Sequence, residues 1–540
     1  MLGCFFLFFQ LVCYILIGGA TASKPLSILL IEPVLSPSHH VWTMHLIKGL
    51  LRKGHHVHAV SIHKPMVEGK LAQNLTYDAF DEVMKSYEAN EDYNPAEWET
   101  YSTFYMTYFI YEWGIESCKA IIKSKEAKKL LEMIKTVEFD VIVHDITVDQ
   151  CFYGLWEVAK NKPPVVGYVP FGPAPWLKDY IGGPNYPTVR PYPATFTKPV
   201  SLWQRTCNTV YYISNDVLRY YYYLPTLQRL AEEFMGHPIR PLREIEKDRI
   251  NMLLLNTHSA FESGIPLPPN ALEIAGLNAQ TVEPIAGEVV EKLPEDIRVF
   301  LDGAKDGAIV ISLGTNVKWK TLGLDKINAV IMAVSKLKQR VVWKLDIEVP
   351  FEIPKNLMIV KWIPQNDVLS HKNMRAVWTH GGLLSTQEAV WKGLPMIVMP
   401  FFMDQKSNAQ ILVSKGVAIH LDVKILSLQS VSHAFQEIIY NESYTRNMKQ
   451  LSSEYRDRPI SPLELAIWSI EYSVRHPNGS LATPLRSQSW VEQNQIDVYA
   501  FLFLILIIIL FSIFFVIKTL ISFCCNRIFT RSNVSKRKLE

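Results

Sequence analysis

The sequence predicts an α/β protein of two Rossmann-like domains facing a cleft, followed by one C-terminal transmembrane helix. Three observations carry that expectation. A strand–helix–strand alternation opens the chain and starts again in its second half. A Pro-rich stretch without periodicity separates the two halves. One uncharged run near the end is long enough to cross a bilayer. The chain has 540 residues, 49% hydrophobic and 20% charged. That length exceeds one ordinary core and suits two domains of roughly 200 residues each.

Residues 4–17 are an apolar run too short to span a membrane, and Ala20-Thr21-Ala22 supplies a small-x-small cleavage pattern. Residues 1–22 therefore read as a secretory signal peptide, although no Lys or Arg precedes the run. A strand over 26–31, a loop through Ser38, His39 and His40, a helix to Arg52 and a strand over 57–61 make a β–α–β start. Further strands are expected at 141–144, running into Asp145, and at 165–169 and 252–256. Residues 77–113 and 211–224 are aromatic-rich without a sheet pattern. They either wall an apolar cleft or pack as ordinary amphipathic helices.

Residues 266–294 read as the inter-domain linker, dividing a first domain over 23–275 from a second over 276–485. The second domain has expected strands at 308–312, 340–345, 357–362, 375–379 and 395–400, with helices over 325–337 and from Ser385 to Lys392. Residues 486–497 form a juxtamembrane segment and 498–517 the membrane helix. The tail over 518–540 carries Lys518, Arg527, Arg531, Lys536, Arg537 and Lys538. By the positive-inside bias this tail is cytosolic and everything before the span luminal.

A net charge of +3 with no basic stripe gives no case for nucleic acid as a partner. Cys4 and Cys13 fall in the signal, so Cys118, Cys151 and Cys207 remain in the lumen and allow at most one disulfide. Sequons at Asn74, Asn441 and Asn478 are glycosylation candidates. His55, His56, His58 and His63 lack converging third and fourth ligands. They suit a strand edge near solvent better than zinc.

The chemistry concentrates in residues 361–408. Trp362 with Gln365, His380 with Gly381 and Gly382, Ser385 with Glu388, and Asp404 with Gln405 each stand where an apolar run ends. Polar groups at the carboxyl ends of parallel strands mark the nucleotide site of open α/β sheets. The glycines admit close backbone approach. Ser385 stands at a helix start, whose free N–H groups favour a diphosphate. His380 can add a hydrogen bond, Glu388 can accept from ribose hydroxyls, and Trp362 can stack on a base.

W-x-P-Q, the His after the strand, G-x-x-S-x-x-E, G-x-P and D-Q, in this order, resemble the signature of the UDP-glycosyltransferase family, which includes UDP-glucuronosyltransferases and their invertebrate relatives. Two positions depart: Leu384 stands where several members carry Asn, and Leu383 replaces the Trp of plant members. The resemblance implies the GT-B fold and a UDP-sugar co-substrate held by Ser312, Gly314, Thr315, Trp362, Gln365, Thr379, His380, Gly382, Ser385, Glu388, Asp404 and Gln405. It also implies that His39 is the catalytic base. Members carry a His sixteen positions before the His of a Gly-His pair, and counting back from His55 lands on His39 rather than His40. Asp145 is its expected carboxylate partner, with Asp149 ranked second.

The chain has no D-x-D pair, so no metal cofactor is expected and the protein itself must stabilise the leaving diphosphate. A single displacement then converts an α-linked donor into a β-glycoside. The donor is UDP-glucose or UDP-glucuronic acid. The S-x-G-T-N-V-K run at 312–318 and GGLLST at 381–386 look like invertebrate members and favour glucose. Small lipophilic acceptors with hydroxyl, phenol or carboxyl groups are implied, and a homo-oligomer stays open. K-x-K-x-x at 536–540 resembles a dilysine retrieval signal, implying a single-pass type I protein of the endoplasmic reticulum membrane. The competing readings are a membrane-anchored member that binds ligand without turnover and a transferase acting on membrane lipid.

Overall fold

The computed structural model describes residues 24–89, 97–172, 174–262, 264–280, 282, 284–288, 293–479 and 481–536. The expected signal peptide and the last four residues of the dilysine pattern lie outside them. The chain forms two compact units. One comprises residues up to Ile181 with Asn185–Thr483, and the other Gly182–Pro184 with Pro484–Glu540.

The first unit is two-lobed. Its first sheet contains β1 (Ser27–Glu32), β2 (His56–Ser61), β3 (Leu75–Ala79), β4 (Val141–Asp145), β5 (Val165–Val169), β6 (Ile250–Leu255) and β7 (Ala271–Glu273), in the order 3-2-1-4-5-6-7. The second contains β8 (Ala308–Ser312), β9 (Arg340–Lys344), β10 (Leu357–Val360), β11 (Met374–Thr379), β12 (Met396–Val398) and β13 (Ala418–His420), in the order 10-9-8-11-12-13. Every pairing is parallel. In each sheet the strand order reverses beside the first strand, the crevice where such sheets place ligands.

Both faces of each sheet are covered, which explains the continuous apolar runs. Successive side chains point to opposite faces. In β1, Leu29 and Ile31 enter one buried cluster, and Ile28 and Leu30 the other. In β8, Ile309 and Ile311 go one way and Ala308 and Val310 the other. Each such Leu, Ile or Val side chain contributes roughly 1.5–3 kcal/mol by its burial.

Eight helices matter below: α1 (Pro37–Arg52), α2 (Thr103–Ile121), α3 (Leu202–Leu218), α4 (Leu324–Val334), α5 (Leu383–Lys392), α6 (Asp404–Ser414), α7 (Pro462–Arg475) and α8 (Ile496–Lys536). Several bounds correct the sequence. His39 and His40 lie in the first turn of α1, not in a loop, because Pro37 opens the helix at N1 behind an extended Ser36. Helix α5 starts at Leu383, so Ser385 is its third residue. The Pro-rich stretch contributes β7, an edge strand paired with β6. Helix α7, late in the chain, packs on the first sheet. Its Leu463, Ala466, Ile467 and Ile470 join the cluster of Ile28, Leu30 and Trp42.

The histidine group also differs from expectation. Strand β3 covers β2, so β2 is not an edge. His58 bonds Thr76 and Asp78 across that pair. His55 is fully buried, taking the Leu26 N–H on Nδ1 and facing Glu471 with Nε2. Cys118 and Cys151 form a disulfide, and Cys207 is free.

The second unit contains α8. Its residues Ile496–Arg527, with a stretch of 18 whose mean hydropathy is 3.4, are long and apolar enough to cross a membrane. Among the described residues it is the one such helix, and it supplies a single-pass membrane anchor.

Candidate active site

A cavity of about 600 Å³ lies in the first unit, and both lobes line it. The first lobe brings Ser36, His39, Phe109, Trp113 and Phe171; the second brings Ser312, Gly314, Trp362, His380 and Asp404. Of the fourteen residues the sequence singled out, Asp145 and Thr379 lie behind the wall, and the others line it. Thr379 is buried, its hydroxyl 3.2 Å from Nδ1 of His380.

Strand β4 ends at Asp145 and α1 begins beside it. Nδ1 of His39 lies 2.6 Å from Oδ2 of Asp145. The carboxylate can only accept, so Nδ1–H donates and Nε2 carries the free lone pair. Oδ1 of Asp145 accepts from the Thr147 hydroxyl at 2.6 Å and its backbone N–H at 3.1 Å. Burial disfavours a charged His39 ring. The charge and hydrogen bond of Asp145, with Glu32 and Asp404 adding, outweigh that and raise its pKa above the usual histidine value. Asp149 instead pairs with His144 at 2.5 Å, in a second buried couple.

The opposite wall begins at the ends of β8 and β11. His380 packs between two glycines. A Cβ on Gly314 or on Gly382 would stand 2.5 Å from its ring. Thus Gly382 makes room for a side chain of its own lobe, a role the sequence did not suggest. Burial and the nearby Lys344 charge bring the His380 pKa down to about 4, so the ring is neutral at physiological pH.

Lys344, the last residue of β9, donates to the Gly314 carbonyl at 2.8 Å and lies 4.7 Å from the Trp362 ring centre. The sequence reading missed this cation, although it ends a strand as the other landmarks do. Trp362 itself is 59% exposed.

Gln365 donates to Ser385 at 2.9 Å and to Glu388 at 2.6 Å. Asn278, also missed, donates to the other Glu388 oxygen at 3.2 Å. Burial still pushes the Glu388 carboxyl up to about 7. Asp404 opens α6 after Met403, whose φ of 53° is strained for a side-chain-bearing residue. Burial lifts the Asp404 pKa to about 6 against hydrogen bonds that include one from Asn408 at 2.9 Å. Gln405 spends its side-chain oxygen on the Phe401 and Phe402 N–H groups. Among the described residues no group of three or more His, Cys, Asp or Glu could hold a metal ion.

Of the two aromatic-rich stretches, the first supplies Trp98, Phe109 and Trp113 to the cavity, whereas residues 211–224 do not line it.

The family model described as UDP-glucoronosyl and UDP-glucosyl transferase matches residues 28–534. UDP-glycosyltransferase UGT5 of Dactylopius coccus is 30% identical over 526 residues, 94% of this chain and 95% of that protein. UDP-glucosyltransferase 2 of the same organism is 31% identical over 392 residues, covering 72% and 74%. UDP-glucuronosyltransferase 2B1 of Rattus norvegicus is 28% identical over 557 residues, covering 99% and 98%. The solved structure of glycosyltransferase VinC in complex with DTDP has a TM-score of 0.55 at 16% identity, covering 83% of this chain and all of that one, a likeness of fold alone. The chain therefore belongs to the UDP-glycosyltransferase family and is a UDP-sugar-dependent glycosyltransferase of GT-B type.

Proposed function

We propose that this enzyme is an inverting hexosyltransferase that moves glucose, in preference to glucuronic acid, onto small lipophilic acceptors with a hydroxyl, phenol or carboxyl group. The observation that carries the proposal is His39 on the cavity wall with Asp145 bonded behind it. Nε2 of His39 takes the proton of the acceptor hydroxyl. The oxygen attacks the anomeric carbon as the bond from that carbon to the diphosphate breaks, and UDP leaves with the electron pair. Back-side attack turns an α-linked donor into a β-glycoside. Asp145 holds the ring and stabilises the imidazolium, an arrangement typically worth about 10²- to 10⁴-fold in rate.

The α5 N-terminus, Ser385, neutral His380 and Lys344 receive the diphosphate charge. Ser312 and Thr315 add contacts, Trp362 stacks on uracil, and Gln365 with Glu388 takes the ribose. Asp404 bonds sugar hydroxyls, and Gln405, its oxygen already engaged, mainly shapes that loop. The acceptor side corresponds to residues 23–275 and the donor side to 276–485, with α7 returning to the acceptor side. Glucose is favoured by the 312–318 and 381–386 runs and by the name of one Dactylopius relative.

The enzyme is an invertebrate-type, membrane-anchored member, a glycoprotein of the endoplasmic reticulum with its catalytic unit luminal. The basic stretch from Lys518 onward, the Cys118–Cys151 disulfide, which persists in oxidising compartments, and the exposed Asn441 and Asn478 support that topology.

The test incubates microsomes bearing the full chain with UDP-glucose or UDP-glucuronic acid and a panel of phenols, for wild type and His39→Ala. β-Linked glucosides from the wild type alone support the proposal. Conjugates that persist in the variant would remove His39 as base, and α-linked products would overturn inversion.

A further inference from the structure

The bend at Met403 lies between two side chains that consecutive residues of the other lobe hold. A single helical turn over Glu97–Thr100 precedes α2 in the first lobe. From it the Trp98 ring meets Phe402 edge to face, with 4.8 Å between ring centres. The next residue, Glu99, accepts a hydrogen bond from Nζ of Lys406 on its backbone carbonyl at 3.0 Å. Phe402 and Lys406 bracket Met403, Asp404 and Gln405 in the chain. The Glu99 carboxylate adds an ion pair with Lys424, just beyond β13, at 2.8 Å.

The turn that makes these contacts is itself anchored. Trp98 packs on Phe109 of α2 at 4.5 Å between ring centres. The buried cluster on one face of the second sheet takes in Met106 of α2 and Tyr212 of α3 beside Ile327 of α4, and Trp98 and Tyr101 pack against it. Met403 packs against this cluster and against the main cluster of the first lobe.

A strained backbone persists only where its surroundings over-determine it. Within its own lobe, Gln405 holds the Phe401 and Phe402 N–H groups and Asn408 holds the Asp404 carboxylate. None of these three bonds holds the Phe402 ring or the Lys406 ammonium group. Trp98 and Glu99 hold those from across the cleft, one on each side of the bend.

We propose that Trp98 and Glu99 are positioning residues for the donor sugar: by gripping Phe402 and Lys406 they hold the Met403 bend, and with it Asp404, in the geometry that meets the sugar hydroxyls. The inference rests on the reading of Asp404 as a sugar contact. The residues read for the nucleotide, Trp362, Gln365, His380 and Ser385, stand on other elements of the second lobe. The grip therefore bears on the sugar and not on UDP.

The test is calorimetry on the full chain in detergent, with no acceptor present. The ligands are UDP and whichever of UDP-glucose and UDP-glucuronic acid the wild type binds more tightly. Trp98→Ala should weaken UDP-sugar binding about 2- to 12-fold, the worth of one aromatic pair, and leave UDP binding unchanged. Trp98→Phe keeps a ring against Phe402 and should restore the affinity. Should Trp98→Ala not fold, Lys424→Ala carries the test from the surface. It removes only the ion pair that steadies Glu99 and should weaken UDP-sugar binding about 2- to 5-fold, again without touching UDP. Equal losses for UDP and UDP-sugar would make the turn a general support of the fold and overturn the proposal. Unchanged UDP-sugar binding with a raised acceptor KM would make Trp98 a wall of the acceptor site and overturn it too. Asp404→Asn tests the premise. If it weakens UDP-sugar binding while the Trp98 and Lys424 variants do not, the grip alone falls. If it leaves UDP-sugar binding unchanged, the reading of Asp404 falls and the inference with it.

Discussion

Asp145 holds His39 with one carboxylate oxygen at 2.6 Å and Thr147 with the other. Neither oxygen is left to rotate the carboxyl away from the ring, so the imidazole has a fixed tautomer and direction.

Asp145→Asn removes the strongest influence raising the basicity of His39. With His39 as the proposed base, transfer requires the neutral ring, and wild-type activity is expected to fall as pH drops through a pKa above 6.5. In the variant that acid limb should move to lower pH while the plateau falls about 10²- to 10⁴-fold. Rate profiles between pH 5 and 9 decide it. A lower plateau with an unmoved limb would show that Asp145 does not set the His39 pKa.

Glu388 carries a second pH dependence. Burial raises its carboxyl from 4.5 to about 7 in the folded chain. A raised acid stabilises the fold fully below its unfolded value and loses that contribution as pH rises through the folded one. Glu388→Gln cannot ionise. The melting temperature of the variant relative to wild type should therefore climb between pH 4.5 and 7 and level off above. A difference independent of pH would mean that this carboxyl is not the titrating group.

Gly314→Ala and Gly382→Ala both push a methyl to 2.5 Å from the His380 ring. Each should weaken UDP binding in calorimetry by displacing that ring. Gly314 also has φ +73°, so its variant should lose about 1–3 kcal/mol of stability and melt below Gly382→Ala. Unchanged UDP affinity in both would detach His380 from the nucleotide.

Trp362→Ala removes a half-open ring beside Lys344. Stacking on a base is worth about 1–3 kcal/mol, so KM for the UDP-sugar should rise about 5- to 150-fold with kcat nearly kept. A fall in kcat alone would place the ring at the reaction centre instead.

The core strands were legible because both sheet faces are covered, which leaves apolar runs with abrupt polar ends at Asp145, Ser312 and His380. The start of α1 was not, because Ser-Pro-Ser-His-His carries turn composition and only the N1 position of Pro37 makes it helical. Strand β7 has three residues among prolines, too few for any period to appear. The return of α7 to the first sheet is a contact between distant parts of the chain, and no local pattern encodes it. In the site, the landmark residues were readable from spacing. Lys344 and Asn278 were not, since each is one ordinary polar residue whose neighbours come from elsewhere in the fold.

The imidazole of His380 acts as a spacer of fixed thickness between two backbone turns. Neither turn can drift without the other, so the ends of β8 and β11 form a single rigid jaw. Tolerance for different sugars then has to be written elsewhere on the cavity wall, at the strained bend at Met403 in the same lobe and at the α1 start in the other. Drift in donor preference within this lineage should therefore show as changes at 403–405 and in the first lobe, while 314, 380 and 382 stay still.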